Sequence, residues 1–255
     1  MSLPQRSLKY EYELYVEREI ENYKESVSRS TLLSLGDEAV AQLAKEQQCA
    51  LTEILLCDEV DRIISRRLRL PTYRTWLRRR RKALEKYRTP EHWGMDPEEP
   101  LVRSISTGDD TRVVVAGPSA EDATLYLAAN GCDVTTLDTA FDSVERVMAA
   151  AEEAGLAARV HGCVAGLGSW APEEPVHAVV TSPAAFDGLS APERARVISA
   201  LQSVTIDGGV HLVRTIRAGQ EALSIEELSS RYLGWQISVE SGEGSARTFL
   251  ARKTA

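Results

Sequence analysis

The sequence predicts an α/β fold: a Rossmann-like, seven-stranded sheet with an antiparallel last strand, preceded by an all-α N-terminal domain. Three observations lead there. Residues 8–88 carry apolar side chains at helical spacing. From Thr111 onward, short apolar runs alternate with helical segments across short connections, the pattern of a mostly parallel sheet covered on both faces. The chain then ends in two short strands about the turn Ser241–Gly242–Glu243–Gly244–Ser245, and strands joined that tightly must run antiparallel.

The first helix is expected over Leu8 to Val27, with Tyr12, Val16, Ile20, Tyr23 and Val27 on one side and glutamates between them. Gly36 reads as a break, after which Asp37 caps a second helix bearing Val40, Leu43 and Ala44. A third helix over Thr52–Leu68 presents Ile54, Leu55, Leu56, Val60, Ile63 and Ile64. Pro71 ends it, and a fourth helix follows with Tyr73, Trp76, Leu77, Leu84 and Tyr87 on its apolar side, stopped by Thr89–Pro90. Residues 89–103 hold Pro90, Gly94, Pro97 and Pro100 among acids and read as an extended linker, whose Trp93 is expected to dock on a domain. The expected division is therefore 1–88, a linker at 89–103, and 104–255.

In the last part, strands are expected at Val113–Ala116, Asp133–Leu137, Ala158–Cys163, Val176–Thr181 and Val210–Ile216, then Gln236–Glu240 and Arg247–Ala251. Helices fall between them, at Asp122–Asn130, Ser143–Ala154, Pro192–Val204 and Ser224–Leu233. Gly208–Gly209 reads as the turn into the fifth strand.

A hydrophobic content of 43% with 27% charged residues is that of a globular protein, and the lack of an 18-residue apolar run or signal core gives an expectation of no membrane contact and a cytoplasmic location. Cys49, Cys57, Cys132 and Cys163 form no C-x-x-C pair, and the four histidines are scattered, so free buried thiols are expected and no metal site. The net charge of −8 hides a division. Residues 62–88 hold 12 Lys and Arg against one acid, between an acidic 1–61 (6 against 13) and an acidic 89–255 (12 against 24). Arg74, Arg78, Arg81 and Lys82 fall close together at helical spacing, suited to nucleic acid or to an acidic partner. The alternative is pairing with the glutamate-rich first helix, with the C-terminal domain, or with another subunit; the N-terminal helices are expected to hold a protein partner or form a homo-oligomer. Gln42–Ile54 faintly resembles a helix-turn-helix, but Gln48 stands where the turn glycine belongs.

Val113–Val114–Val115–Ala116–Gly117–Pro118–Ser119 followed by a helix, a second strand and Asp138 has the layout of a nucleotide-binding unit, with a carboxylate placed for ribose hydroxyls. A purely structural turn and an exposed acid would give the same pattern. No nucleophile elbow, P-loop or H-E-x-x-H competes.

Residues 104–252 resemble the class I S-adenosylmethionine-dependent methyltransferases. The resemblance lies in Leu125–Asp138, similar to that family's first helix and second strand, and in Leu189–Arg194 through Ile206–Val210, similar to its fifth helix, Gly-Gly turn and fifth strand. It implies cofactor contacts at Gly117, Ser119 and Asp138, with Cys163 near adenine, where the family usually has an acid. The family's first-strand pattern is an acid, an apolar residue, then Gly-x-Gly-x-Gly. Here Val115 stands at the acid, Ser119 at the second glycine and Glu121 at the third. Val115 cannot accept from an amino group, Pro118 offers no N–H, and Ser119 adds a Cβ that costs about 1–2 kcal/mol in a left-handed conformation. Glu121 and Asp122 are expected to satisfy the helix N-terminus and repel a second carboxylate. Thr181–Ser182–Pro183–Ala184–Ala185–Phe186 resembles the substrate segment of amino-group methyltransferases, which would place Ser182 and Phe186 at a substrate pocket.

The reading is a methyltransferase-like protein with an eroded cofactor motif, expected to bind S-adenosylmethionine weakly or not at all and to work as a binding or regulatory protein. One alternative is an active methyltransferase with the N-terminal helices as a substrate lid. The other is a nucleic-acid-associated regulator acting through the arginine-rich helix 72–88. No catalytic residue is named by the sequence.

Overall fold

A computed structural model describes residues 7–44, 53–118, 120–216, 223–241 and 246–254. Its internal contacts divide the chain into two compact units, Met1–Lys82 and Ala83–Ala255.

In the first unit, α1 (Leu8–Ser26), α2 (Arg29–Leu43), α3 (Glu53–Leu68) and the start of α4 (Tyr73–Tyr87) succeed one another. Ser7 and Ser28 cap α1 and α2 through side-chain oxygens that accept from Tyr10 and Thr31 N–H groups. Contrary to the expected break, α2 runs straight through Gly36. A helical glycine costs about 1 kcal/mol, and the burial of Leu35, Ala39 and Leu43 along one stripe outweighs it. The core is small: Ile20, Leu35, Ala39, Ile63 and Ile64, edged by Val16, Tyr23, Leu32, Leu56, Val60 and Leu70. Glu59 is buried beside it, accepting from Arg66 at 2.6 Å and Arg62 at 3.2 Å. The helix-turn-helix reading falls largely on 45–52, outside the described residues.

The stretch expected to be an extended linker is folded. A 3-10 turn, Pro90–Trp93, and the short α5, Pro100–Ser104, occupy it. Trp93 donates its indole N–H to the Tyr87 carbonyl at 2.7 Å, and Met95, Leu101 and Ile105 are buried in a core of the second unit.

That unit is built on seven strands: β1 (Arg112–Ala116), β2 (Asp133–Asp138), β3 (Val160–Val164), β4 (Val176–Thr181), β5 (Thr205–Ile216), β6 (Gln236–Ser241) and β7 (Arg247–Arg252). Their order across the sheet is β3-β2-β1-β4-β5-β7-β6, and only the pairings that involve β7 are antiparallel. The turn joining β6 to β7 lies at 242–245, outside the described residues. β5 begins five residues earlier than expected, because Thr205 already pairs with Val176 and the register shifts before Val210. Gly208 takes φ +76° in that irregular stretch, so the Gly-Gly pair is a bulge inside the strand.

Alternate residues of β1 serve opposite faces. Val113 and Val115 join α6 (Glu121–Ala129) and α7 (Phe141–Glu153) in one core, while Val114 and Ala116 join α8 (Ala191–Val204) and α9 (Ile225–Arg231) in the other. Both faces are thus covered, as the near-continuous apolar strands require. No described helix is long and apolar enough to cross a membrane.

Candidate functional site

In an open, mostly parallel sheet, ligand-binding groups gather where the strands end, at the point where strand order reverses. Here β1 and β4 start two halves running in opposite directions, and backbone bonds align the ends of the first four strands. Ser182 N–H donates to Ala116 O at 3.4 Å, Gly117 N–H to Leu137 O at 3.0 Å, and Ala165 N–H to Asp138 O at 3.0 Å. Gly117, Asp138, Cys163 and Ser182 therefore lie along one edge of the sheet, on four different strands or the turns that leave them.

Gly117 takes φ +115°, which side chains rarely adopt. A Cβ there would stand 2.5 Å from Ser182 Oγ and 3.4 Å from Ala185 Cβ. The glycine is thus required twice, by its own backbone and by the 3-10 turn Pro183–Phe186 lying against it. Ser119, two residues on, is outside the described residues.

Asp138 closes β2 with one carboxylate oxygen engaged, accepting from Ala140 N–H at 2.8 Å. The other, Oδ2, is buried and has no hydrogen-bond partner among the described residues. Ser182 Oγ is likewise buried and unpartnered. Buried polar atoms in native proteins are nearly always bonded, and two such atoms at the ends of neighbouring strands mark this as the candidate site.

The remaining expected residues distribute unevenly. Cys163 is a free, half-buried thiol that pairs in register with Leu137 and packs against the core containing it. Phe186 is 3% exposed and belongs to that core as well, so its ring is a packing element of the turn. Val115 is buried in the core that α6 and α7 cover. The N-terminus of α6 has no side-chain cap. Glu121 is not turned back on it in the expected way, its carboxylate meeting Arg146 Nε of α7 at 3.3 Å instead.

Two exposed apolar residues that the sequence did not single out lie near Asp138, one along the chain and one across the sheet. Phe141 opens α7 three residues later and is 62% exposed, and Val164, the register partner of Asp138 on β3, is 49% exposed. The signal was present, an aromatic just past the acid, but only the fold shows that its ring is uncovered. Among the described residues no group of three or more His, Cys, Asp or Glu is placed to hold a metal ion.

The cationic residues form a second, separate feature. Arg74, Arg78, Arg81 and Lys82 are exposed on α4. Arg80, between them, turns the other way, pairing with Glu11 at 2.5 Å and lying 5.2 Å over the Trp76 ring.

No protein-family model matches the chain, and a search of curated proteins finds no match. Solved structures resemble it in fold. TehB from Haemophilus influenzae is 19% identical over 56% of this chain and 57% of that one, with a TM-score of 0.48. The N-methyltransferase NodS from Bradyrhizobium japonicum WM9 is 13% identical over 63% of this chain and all of that one, with a TM-score of 0.49. An S-adenosylmethionine-dependent O-methyltransferase from Thermotoga maritima is 14% identical over 58% of this chain and 61% of that one, with a TM-score of 0.47. The chain thus spans less than two thirds of the first and third of these. The fold rests on the sheet itself: its strand order, with β7 antiparallel at its place between β5 and β6, is that of the class I S-adenosylmethionine-dependent methyltransferases.

Proposed function

We propose that the second unit recognises a nucleoside through Asp138, and that the amino-acid half of the cofactor site inherited with this fold no longer contributes. The chain then works as a binding or regulatory protein with little or no methyl transfer. The observation that carries this reading is the contrast at one sheet edge between the orphaned Asp138 Oδ2 and the buried, apolar Val115.

Each half can be tested against S-adenosylmethionine. The nucleoside half fits: Asp138 Oδ2 would accept from a ribose hydroxyl, a charge-assisted bond worth roughly 1.5–3 kcal/mol, and Phe141 and Val164 would cover the base. The amino-acid half does not fit. Val115 offers nothing to an ammonium group and Pro118 has no N–H. Without a held amino-acid end, the sulfonium methyl is not fixed against an acceptor, and proximity and orientation are the main sources of rate in small-substrate methyl transfer.

Calorimetric titration of the full chain with S-adenosylmethionine and S-adenosylhomocysteine tests this, with Asp138→Ala and Phe141→Ala beside it. Weak binding that vanishes in Asp138→Ala and drops in Phe141→Ala is the expected result. Micromolar binding of S-adenosylmethionine with turnover on any amine or hydroxyl acceptor would establish the active-enzyme reading instead.

A further inference from the structure

We propose that α4 grips the phosphate backbone of a nucleic-acid duplex, without reading its sequence, through Arg74, Arg78, Arg81 and Lys82. The first support is how the first unit spends its cations. Lys24 meets Glu21 and Asp61 at 2.7 and 2.9 Å, Arg62 and Arg66 meet Glu59, Arg67 meets Glu38, and Arg80 meets Glu11. The four cations on the outer face of α4 meet no carboxylate among the described residues, although α1 alone carries six glutamates. Pairing with the first helix was one expectation for the arginine-rich segment; α1 takes up Arg80 and leaves these four to solvent.

The second support is geometric. Positions 74, 78, 81 and 82 lie on one side of a helix with 3.6 residues per turn, over about 12 Å of its length at 1.5 Å per residue. This makes a cationic row along the axis. A duplex presents about one negative charge per 1.7 Å of its own axis, so such a row meets phosphates wherever it is laid. The guanidinium fork holds phosphate oxygens in pairs.

Other polyanions fit less well. A membrane surface would need an open apolar side on the same helix. The apolar side of α4 is half-buried against α1, with Trp76 5.6 Å from Tyr12 and 6.3 Å from Tyr15, and Tyr73 5.5 Å from Tyr12. Those contacts also engage the aromatics that a single strand would need as stacking platforms. A protein interface is built around an apolar, aromatic centre with lysine at its edge or absent, and no aromatic or aliphatic side chain stands within this row.

Fluorescence anisotropy of the full chain with labelled DNA and RNA duplexes of one arbitrary sequence tests the proposal. Binding is expected at about 50 mM salt, weakening about 10²-fold by about 200 mM for four phosphate contacts, and indifferent to a change of sequence. Arg74→Gln/Arg78→Gln/Arg81→Gln should weaken it by roughly tenfold or more and flatten the salt slope by about three contacts. These exposed, unpaired residues can be replaced with the far-ultraviolet dichroism intact. Arg67→Gln, which removes a cation already paired with Glu38, should leave binding nearly unchanged. No duplex binding at low salt would overturn the proposal. So would binding that the triple variant retains, or tighter capture of polyglutamate or phosphatidylserine vesicles at equal ionic strength.

Discussion

The two units bury polar groups in opposite ways. The first buries a charge: Glu59 stands at the edge of a small core with two arginines closing over it. The second buries a neutral chain of hydrogen bonds. Thr205 donates to Leu201 O at 2.7 Å and so receives the Nε2–H of His211, also at 2.7 Å, leaving Nδ1 to accept from the Tyr232 hydroxyl at 2.7 Å. Burial, aided by the nearby Lys253, lowers the His211 pKa to about 3, and burial raises that of Tyr232. A large two-faced core can hold a neutral network without solvent. A small one keeps its charge near the surface, where exposed arginines reach it. The lesson is that the two units should fail under different stresses.

The largest effect should come from the second unit's core. Phe249 is fully buried and lies 5.3 Å from the Tyr232 ring, so Phe249→Ala is expected to cost about 3–5 kcal/mol in urea unfolding. Acid comes next. A histidine whose folded pKa is lowered to about 3, against about 6.5 unfolded, contributes its stability in full above pH 6.5 and loses it as pH falls toward 3. The loss is on the order of 4 kcal/mol across that window, read as a falling melting temperature, and His211→Gln should flatten the profile. Leu35→Ala, in the smaller core, should cost about 3 kcal/mol and leave that pH profile unaltered. Glu59→Gln should cost about 1 kcal/mol, since Arg62 and Arg66 are largely exposed and their attraction is screened. A loss there as large as for Phe249→Ala would mean that the first unit depends on its buried charge more than on its apolar residues.

Periodicity located the helices and strands, and turn chemistry located their order, because each signal is local. What escaped was decided by packing. Gly36 reads as a break, yet Leu35 and Ala39 beside it are wholly buried, and only the fold shows that gain. The prolines and acids of 89–103 hide Met95 and Leu101, two apolar residues too widely spaced to form a pattern but both buried in one core with Ile105 just beyond. Gly208–Gly209 looks like a turn and is a bulge, because the pairing of Thr205 with Val176 lies twenty-nine residues apart in sequence. At the candidate site, Gly117 and Asp138 were singled out by their places in one strand–turn–helix–strand unit. The closeness of Ser182 to Gly117, the missing partner of Asp138 Oδ2 and the exposure of Phe141 depend on strands that meet only in the sheet. The arginines of α4 were legible as a cluster, but which of them are paired was not.

The most direct measurement compares the dissociation constants of adenosine and S-adenosylhomocysteine for the intact chain, since the two differ by the amino-acid end alone. If that half of the site is silent, the constants agree within about threefold, less than 1 kcal/mol, and Asp138→Ala weakens both equally. S-adenosylhomocysteine binding a hundredfold tighter than adenosine, about 2.7 kcal/mol, would mean that the altered loop still holds the amino-acid end, and would contradict the account.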